Sequence, residues 1–348
     1  MIADDARVTA FPGSASGRVR LAIPNKGRMQ GPSLQLLHDA GLQFEDGTRA
    51  LTSSVEGFPL DILFVRTDDI VEFVADGVAD MGITGTNLLI EAGADLETLA
   101  ELGYGYCRLE AAVPNESPAQ RLEDLAGLRL ATSHPQATET SFRKRGIETE
   151  VVTVSGAVEV APTMGLADGV VDLVSSGSTL IMNGLRSVGA LFASQAILVG
   201  RKDATPEAVV IMAEVRTMIE AVIAGRGVKY LMMNAPDSAL EAIETILPGL
   251  ESPSVLPLAH EGMHAVHAVV GANDVHRILV PLREAGATGI LVIPVEKLLP
   301  CPTPPPRPSG VSDWPTPTRL SVGHSPTAPP LRRPTSAPRR APSSTASG

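Results

Sequence analysis

Residues 172–180 read DLVSSGSTL. Asp172, Leu173 and Val174 close a branched apolar run that suits a buried strand. Ser175, Ser176, Gly177 and Ser178 form a small polar loop, and Thr179 opens a helix. Small side chains let backbone N–H groups close around an anion, hydroxyls add donors, and a helix dipole favours negative charge. No G-K-[ST] follows, so this is not a Walker loop. A turn rich in serine and glycine is by itself ordinary turn chemistry. At the end of a buried strand in an α/β lobe, it stands where such folds bind ligands.

The same strand–turn–helix order recurs twice. VRLAIP (19–24) runs into NKGR, placing Lys26 and Arg28 around a glycine at the carboxyl end of the first strand. Two cations there suit a polyphosphate, with a solvated turn as the plain alternative. ADMGITG (79–85) feeds the turn GITGTN, which holds Thr84 and Gly85. A lone G-x-x-G is weak, but three anion-competent turns in two lobes are better evidence than any one.

The rest of the chain reads as α/β. Strands are expected at 60–66, 107–114, 128–133, 150–154 and 195–200. Helices are expected at 31–42, from Thr67 or Asp68 to Gly77, at 86–93, at 139–145, from about Val158 to Ala167, and from Pro206 to about Tyr230. Residues 18–110 form one lobe and 111–191 a second. A return segment, 192–212, goes back to the first. Residues 213–300 follow β-α-β-β-α-β, a ferredoxin-like layout typical of small-ligand regulatory modules.

The two ends differ. Residues 1–17 look like a loose, flexible extension. Residues 301–348 hold 13 of the 29 prolines, the only tryptophan (Trp314) and no apolar periodicity, so a disordered appendage is expected. This tail carries six Arg and one Asp, while the chain's net charge is −11, so the first 300 residues carry −16. That body is no generic nucleic-acid binder. Any anion it binds must be held by local devices.

Hydrophobic content is 44% and mean hydropathy +0.14. No run of 18 apolar residues and no signal-like N-terminus are present, and Cys107 and Cys301 make no disulfide framework. The expected compartment is the cytoplasm, without membrane insertion.

Residues 260–264, HEGMH, spell the H-E-x-x-H of zinc peptidases. Such a site needs a helix. Here Pro253 and Pro257 lie upstream, Gly262 sits inside, and HAVHAV reads as strand. In an extended chain the two histidines lie about 13 Å apart, too far for one zinc. A loop entering a strand is the expectation.

Taken together, LAIPNKGR, GITG, LGYGYCRLEAAVP, VSGAVEVAPTMGLADGVVDLVSSGSTL with NGL, LPGLESPSVLPLA and GILVIPVEKLLP closely resemble the long form of the ATP phosphoribosyltransferase family. The resemblance spans about residues 18–300. It implies a two-lobed, periplasmic-binding-protein-like catalytic core with a ferredoxin-like, ACT-like regulatory domain. The implied reaction condenses ATP with phosphoribosyl pyrophosphate, with Mg²⁺ as the metal, in the first step of histidine biosynthesis. Histidine is implied as feedback inhibitor, and the assembly as a homo-oligomer, dimer to hexamer.

On the same resemblance, Ser175, Ser176, Gly177, Ser178 and Thr179 cradle the 5′-phosphate, and Asp172 faces the ribose or Mg²⁺. Glu159 is a candidate for the ribose hydroxyls, with a surface helix glutamate as the alternative. Lys26 and Arg28 hold pyrophosphate or ATP phosphates, and Thr84 and Gly85 frame the cleft. Asn234 and Ser254 belong to the histidine pocket. Two positions depart from the family: Asn87 stands for the acid of GITG-x-D, which is expected to weaken one polar contact, and Met263 stands for an aromatic. The rival reading is a two-lobed binding or sensor protein without catalysis.

Overall fold

The computed structural model describes residues 17–45, 51–247 and 252–299. The expectations for the two end segments, 1–17 but for Gly17 and 301–348, lie outside the described residues. The first stretch of chain holds β1 (Val19–Pro24), α1 (Gln30–Asp39), β2 (Thr52–Ser54), β3 (Leu60–Val65), α2 (Ile70–Ala75), β4 (Met81–Gly85), α3 (Thr86–Ala92) and β5 (Glu97–Glu101). The second holds β6 (Cys107–Pro114), β7 (Arg129–Thr132), α4 (Pro135–Lys144), β8 (Glu150–Thr153), β9 (Gly169–Val174), α5 (Ser178–Met182) and β10 (Leu185–Ser194). β11 (Ala196–Gly200) and the long α6 (Pro206–Arg226) follow. Last come β12 (Val228–Pro236), α7 (Leu240–Ile246), β13 (Ser254–Pro257), β14 (Met263–Gly271), α8 (Val275–Glu284) and β15 (Thr288–Pro294).

The strands form three sheets. The first runs β2-β3-β1-β4-β11-β5, with β1, β3 and β4 parallel and β11 antiparallel between β4 and β5. Apolar side chains line both faces, as a buried parallel strand requires. Leu21 and Ile23 pack with α1 and α6, while Ala22 faces Ile70 and Val74 of α2. The second sheet runs β10-β6-β9-β7-β8, with β9, β7 and the edge strand β8 parallel and β6 antiparallel between β10 and β9. Two segments cross between the lobes and bond to each other: Ala196 N–H donates to Tyr104 O, and Leu102 N–H to Ala196 O. This is a two-lobed core in which β11 returns to the first sheet.

The third sheet, β13-β14-β12-β15, is antiparallel, with α7 and α8 on one face. Its order and β-α-β-β-α-β path are ferredoxin-like. The segment after β15 turns back to the core. Leu298 N–H donates to Ala221 O, Lys297 reaches Ala40 O, and Arg226 pairs with Asp39 at 2.7 Å. Gly225 is obligatory at this crossing, because a Cβ there would lie 2.9 Å from Glu296 O and 3.0 Å from Lys297 Cα.

Several expectations change. The division at 212/213 falls inside α6, whose Met212, Val215, Ile219 and Val222 all pack in the first lobe's core. The helix ends at Arg226 rather than near Tyr230, because an apolar alternation starts the strand at Val228. Residues 158–167 make one 3₁₀ turn, Val158–Val160, since Pro162 and Gly165 stop a longer helix. Neither Thr67 nor Asp68 caps α2 with its side chain: Thr67–Asp69 is a 3₁₀ turn entered from Arg66. Strand β14 begins within the HEGMH run, and His264 Nδ1 lies 2.9 Å from Asp237 Oδ1, so that stretch is not helical. Among the described residues, no helix is long and apolar enough to cross a membrane.

Candidate active site

The two lobes bring the carboxyl ends of β1 and β9 face to face. On the first lobe, Asn25 N–H donates to Val65 O, so the chain leaves β1 held against β3. Gly27, at φ +82°, then turns it into α1 and leaves Lys26 and Arg28 exposed. On the second lobe, β9 delivers Asp172 and ends at Val174. Gly177, at φ +79°, reverses the chain into α5. This helix is a single short run of five residues beginning at Ser178, so amides and hydroxyls, more than a macrodipole, define the loop.

Arg28 Nη1 donates to Ser175 Oγ at 2.7 Å across the cleft. A cavity of about 240 Å³ is lined by Arg28, Glu159, Asp172, Ser175, Ser176, Gly177 and Thr179. Ser178 does not line it, but its Oγ lies 3.0 Å from Ser176 Oγ. A neighbouring cavity of about 240 Å³ shares Arg28 and Leu173 and adds Lys26, Thr67, Asp68, Gly85, Asn87 and His134. Thr84 lines neither. It is fully buried at the end of β4, so it frames the sheet rather than the cavity wall.

Burial pushes the Asp172 carboxyl above the ordinary carboxylate range. Nearby Glu159 adds to this, while the Leu173 N–H and His134 act the other way. Glu159 sits half-buried on the 158–160 turn, which follows Ala157 at φ +49°. A non-glycine residue in that region is uncommon and is held there by its surroundings. Two carboxylates beside an anion cradle are electrostatically adverse unless positive charge, a metal ion or a developing cation, stands between them. Among the described residues, no three His, Cys, Asp or Glu side chains gather to hold a metal by themselves. One or two carboxylates with substrate phosphates is, however, the set Mg²⁺ takes.

Sequence reasoning missed His134. It lies in the turn between β7 and Pro135 of α4, the same strand–turn–helix position as the other three, and that position was the available signal. Asn87, which stands for the family's acid, is held by partners of its own. Its Oδ1 accepts from Ser194 Oγ at 2.9 Å and its Nδ2 lies 3.3 Å from His134 Nε2. Gly85 permits this, since a Cβ there would meet Asn87 Oδ1 at 2.4 Å. Asn234 and Ser254 lie away from this cleft, both exposed on the third sheet. Asn234 on β12 pairs with Ala265 and Thr288, and Ser254 opens β13 opposite His267.

Comparison with known proteins supplies the chemical context. Residues 66–223 match the family model described as ATP phosphoribosyltransferase, and residues 225–297 match that described as HisG, C-terminal domain. The ATP phosphoribosyltransferase of Cytophaga hutchinsonii is 42% identical over 281 residues, covering 81% of this chain and 98% of its own. That of Gemmatimonas aurantiaca is 43% identical over 292 residues, covering 81% and 100%. Among solved structures, a chain of the ATP phosphoribosyl transferase (HisG:HisZ) complex from Thermotoga maritima is 27% identical over 58% of this chain and 98% of that one, with a TM-score of 0.49.

Proposed function

The chain belongs to the ATP phosphoribosyltransferase family, and on that premise we propose that the cavity between Arg28 and the 175–179 loop is where ATP and phosphoribosyl pyrophosphate react. The enzyme is a pentosyltransferase acting in the first step of histidine biosynthesis. Adenine N1 forms a bond to the ribose anomeric carbon as the bond from that carbon to pyrophosphate oxygen breaks. Phosphoribosyl-ATP and pyrophosphate are the products. The observation that carries the reading is the convergence of a first-lobe cation on a second-lobe anion loop, beside two carboxylates.

Each group then has a task. Ser175, Ser176, Gly177, Ser178 and Thr179 hold the 5′-phosphate through amides and hydroxyls. Lys26 and Arg28 take the pyrophosphate or the ATP phosphates, with Gly85 in the wall beside them and Thr84 buried behind it in β4. Glu159 accepts from the ribose hydroxyls. Asp172 faces the ring, where its charge favours the positive, oxocarbenium-like carbon. Asp172 is also the group to hold Mg²⁺ together with substrate phosphates, and Mg²⁺ when bound neutralises the leaving pyrophosphate. A binding-only protein gives the two carboxylates no such task.

Residues 213–300 are the proposed regulatory domain, with the lobes at 18–110 plus 192–212 and at 111–191. The packing of α6 against the first lobe argues for moving the regulatory boundary to the start of β12. Asn234 and Ser254 belong to its histidine site. The reading includes a cytoplasmic homo-oligomer, dimer to hexamer. The test is phosphoribosyl-ATP formation from ATP, phosphoribosyl pyrophosphate and Mg²⁺, with pyrophosphatase present, with and without millimolar histidine. Product that falls with histidine is expected. Absence of product from folded protein would overturn the catalytic reading, and product indifferent to histidine would overturn the regulatory one.

A further inference from the structure

One cluster, which begins at Asn87 and His134 in the wall of the second cavity and extends to Glu91, joins the two lobes. Glu91 of α3 reaches α4 in the other lobe. Its Oε1 accepts from Gln136 N–H at 3.1 Å and its Oε2 from Ala137 N–H at 2.8 Å. One turn earlier, on the same side of α3, Asn87 touches His134 and Ser194. The Asn87 backbone N–H also donates to Ser194 Oγ, at 3.1 Å. Asn87, His134 and Ser194 are 6%, 9% and 3% exposed, so water does not compete for these bonds.

First-turn amides of a helix at the end of a parallel strand are normally open to a ligand. In α4 a carboxylate from the opposite lobe consumes two of them. Such bonds are charge-assisted and gain from the helix dipole. The Arg28–Ser175 contact across the cleft is, by contrast, a single bond between exposed side chains. Position 87 is matched in polarity as well. With Oδ1 accepting from Ser194, Nδ2 donates to His134 Nε2, and His134 Nδ1–H is left to donate to Ser133 Oγ at 3.0 Å.

Chain connectivity carries this grip to the reacting loops. Helix α3 follows β4, whose neighbour β1 ends in Lys26 and Arg28, while α4 follows β7, whose neighbour β9 ends in Asp172 and the phosphate loop. Holding α3 to α4 therefore sets the gap between Arg28 and Ser175.

We infer that Glu91 and Asn87 are positioning residues that preset the inter-lobe angle, so the cleft is built before substrate arrives. The kinetic part of this inference rests on the proposed function, but the geometric part does not. The full-length protein is labelled with nitroxides at Glu72→Cys and Lys144→Cys, exposed positions on the two lobes, with Cys301→Ser. Without substrate, the inter-lobe distance distribution is narrow, and adding Glu91→Ala and Asn87→Ala broadens it while circular dichroism stays native. In the unlabelled enzyme, Glu91→Ala raises KM for phosphoribosyl pyrophosphate about tenfold with kcat within about threefold. Glu91→Gln, which keeps one acceptor oxygen, recovers part of this. A distribution unchanged by the double substitution, or an unchanged KM in folded Glu91→Ala protein, overturns the inference. A parent enzyme without turnover overturns the functional reading instead, and the distance measurement still decides the latch.

Discussion

The two walls of the cleft are built alike and charged differently. Each is a turn at the carboxyl end of a buried parallel strand, and each reverses through a glycine of positive φ, Gly27 or Gly177. The first wall offers two exposed cations, Lys26 and Arg28. The second offers neutral hydroxyls and amides with two carboxylates, Asp172 and Glu159, beside them. Exposed cations attract a polyanion and hold it by charge. A shaped loop with partly desolvated acids fixes where charge develops. The proposed function thus assigns the holding of the polyphosphate mainly to the first wall and the positioning of the reacting carbon mainly to the second.

The largest expected effect tests the second wall. Asp172→Asn should lower kcat by about 10²–10³-fold, the usual loss when one group aimed at developing charge is removed. The same change should stabilise the fold, and the sign follows from burial. The folded carboxyl has a raised pKa, so its ionised form is the disfavoured one. That penalty is absent below the ordinary carboxylate pKa of about 3.9 and fully present above the raised folded value. A Tm gain for Asp172→Asn near neutral pH that vanishes in acid is therefore expected. No gain near neutral pH would show the carboxylate to be well solvated.

Next comes the first wall. Arg28→Met should raise KM for phosphoribosyl pyrophosphate by about 10–100-fold, the weight of a charge-assisted hydrogen bond, with kcat changed less. A matching fall in kcat would erase the distinction between the walls. A smaller loss tests the turn itself. Gly177→Ala forces an alanine to φ +79°, costing about 1–2 kcal/mol locally, so affinity for phosphoribosyl pyrophosphate should drop roughly tenfold while the fold persists. Smallest for catalysis is Asn234→Ala on the third sheet. It should weaken inhibition by histidine in a titration and leave kcat without histidine unchanged; altered kcat would mean that β12 bears on the cleft directly.

Legibility followed local pattern. The parallel strands ending at Pro24, Gly85 and Val174 were readable because both faces are buried and each run ends in small or charged turn residues. Strand β10 was not readable. Its pairing with β6 shifts register between Ser187 and Gly189 and again between Ala190 and Phe192. Bulges add residues to one strand, so burial falls on every third residue, Leu185, Val188, Leu191 and Ser194, and the period-two signal is lost. His134 was overlooked for another reason. Its partner in the other lobe, Asn87, lies 47 residues away along the chain.

What the sequence determined alone is the chemistry offered at each strand end and the order of the elements, because side-chain size, charge and backbone freedom act over a few residues. Tertiary structure alone decided which ends face each other, that α6 belongs with the first lobe, and that Glu91 spends itself on the amides of α4. Those outcomes depend on contacts between residues tens to hundreds of positions apart, and only the packed chain brings such groups within hydrogen-bond reach.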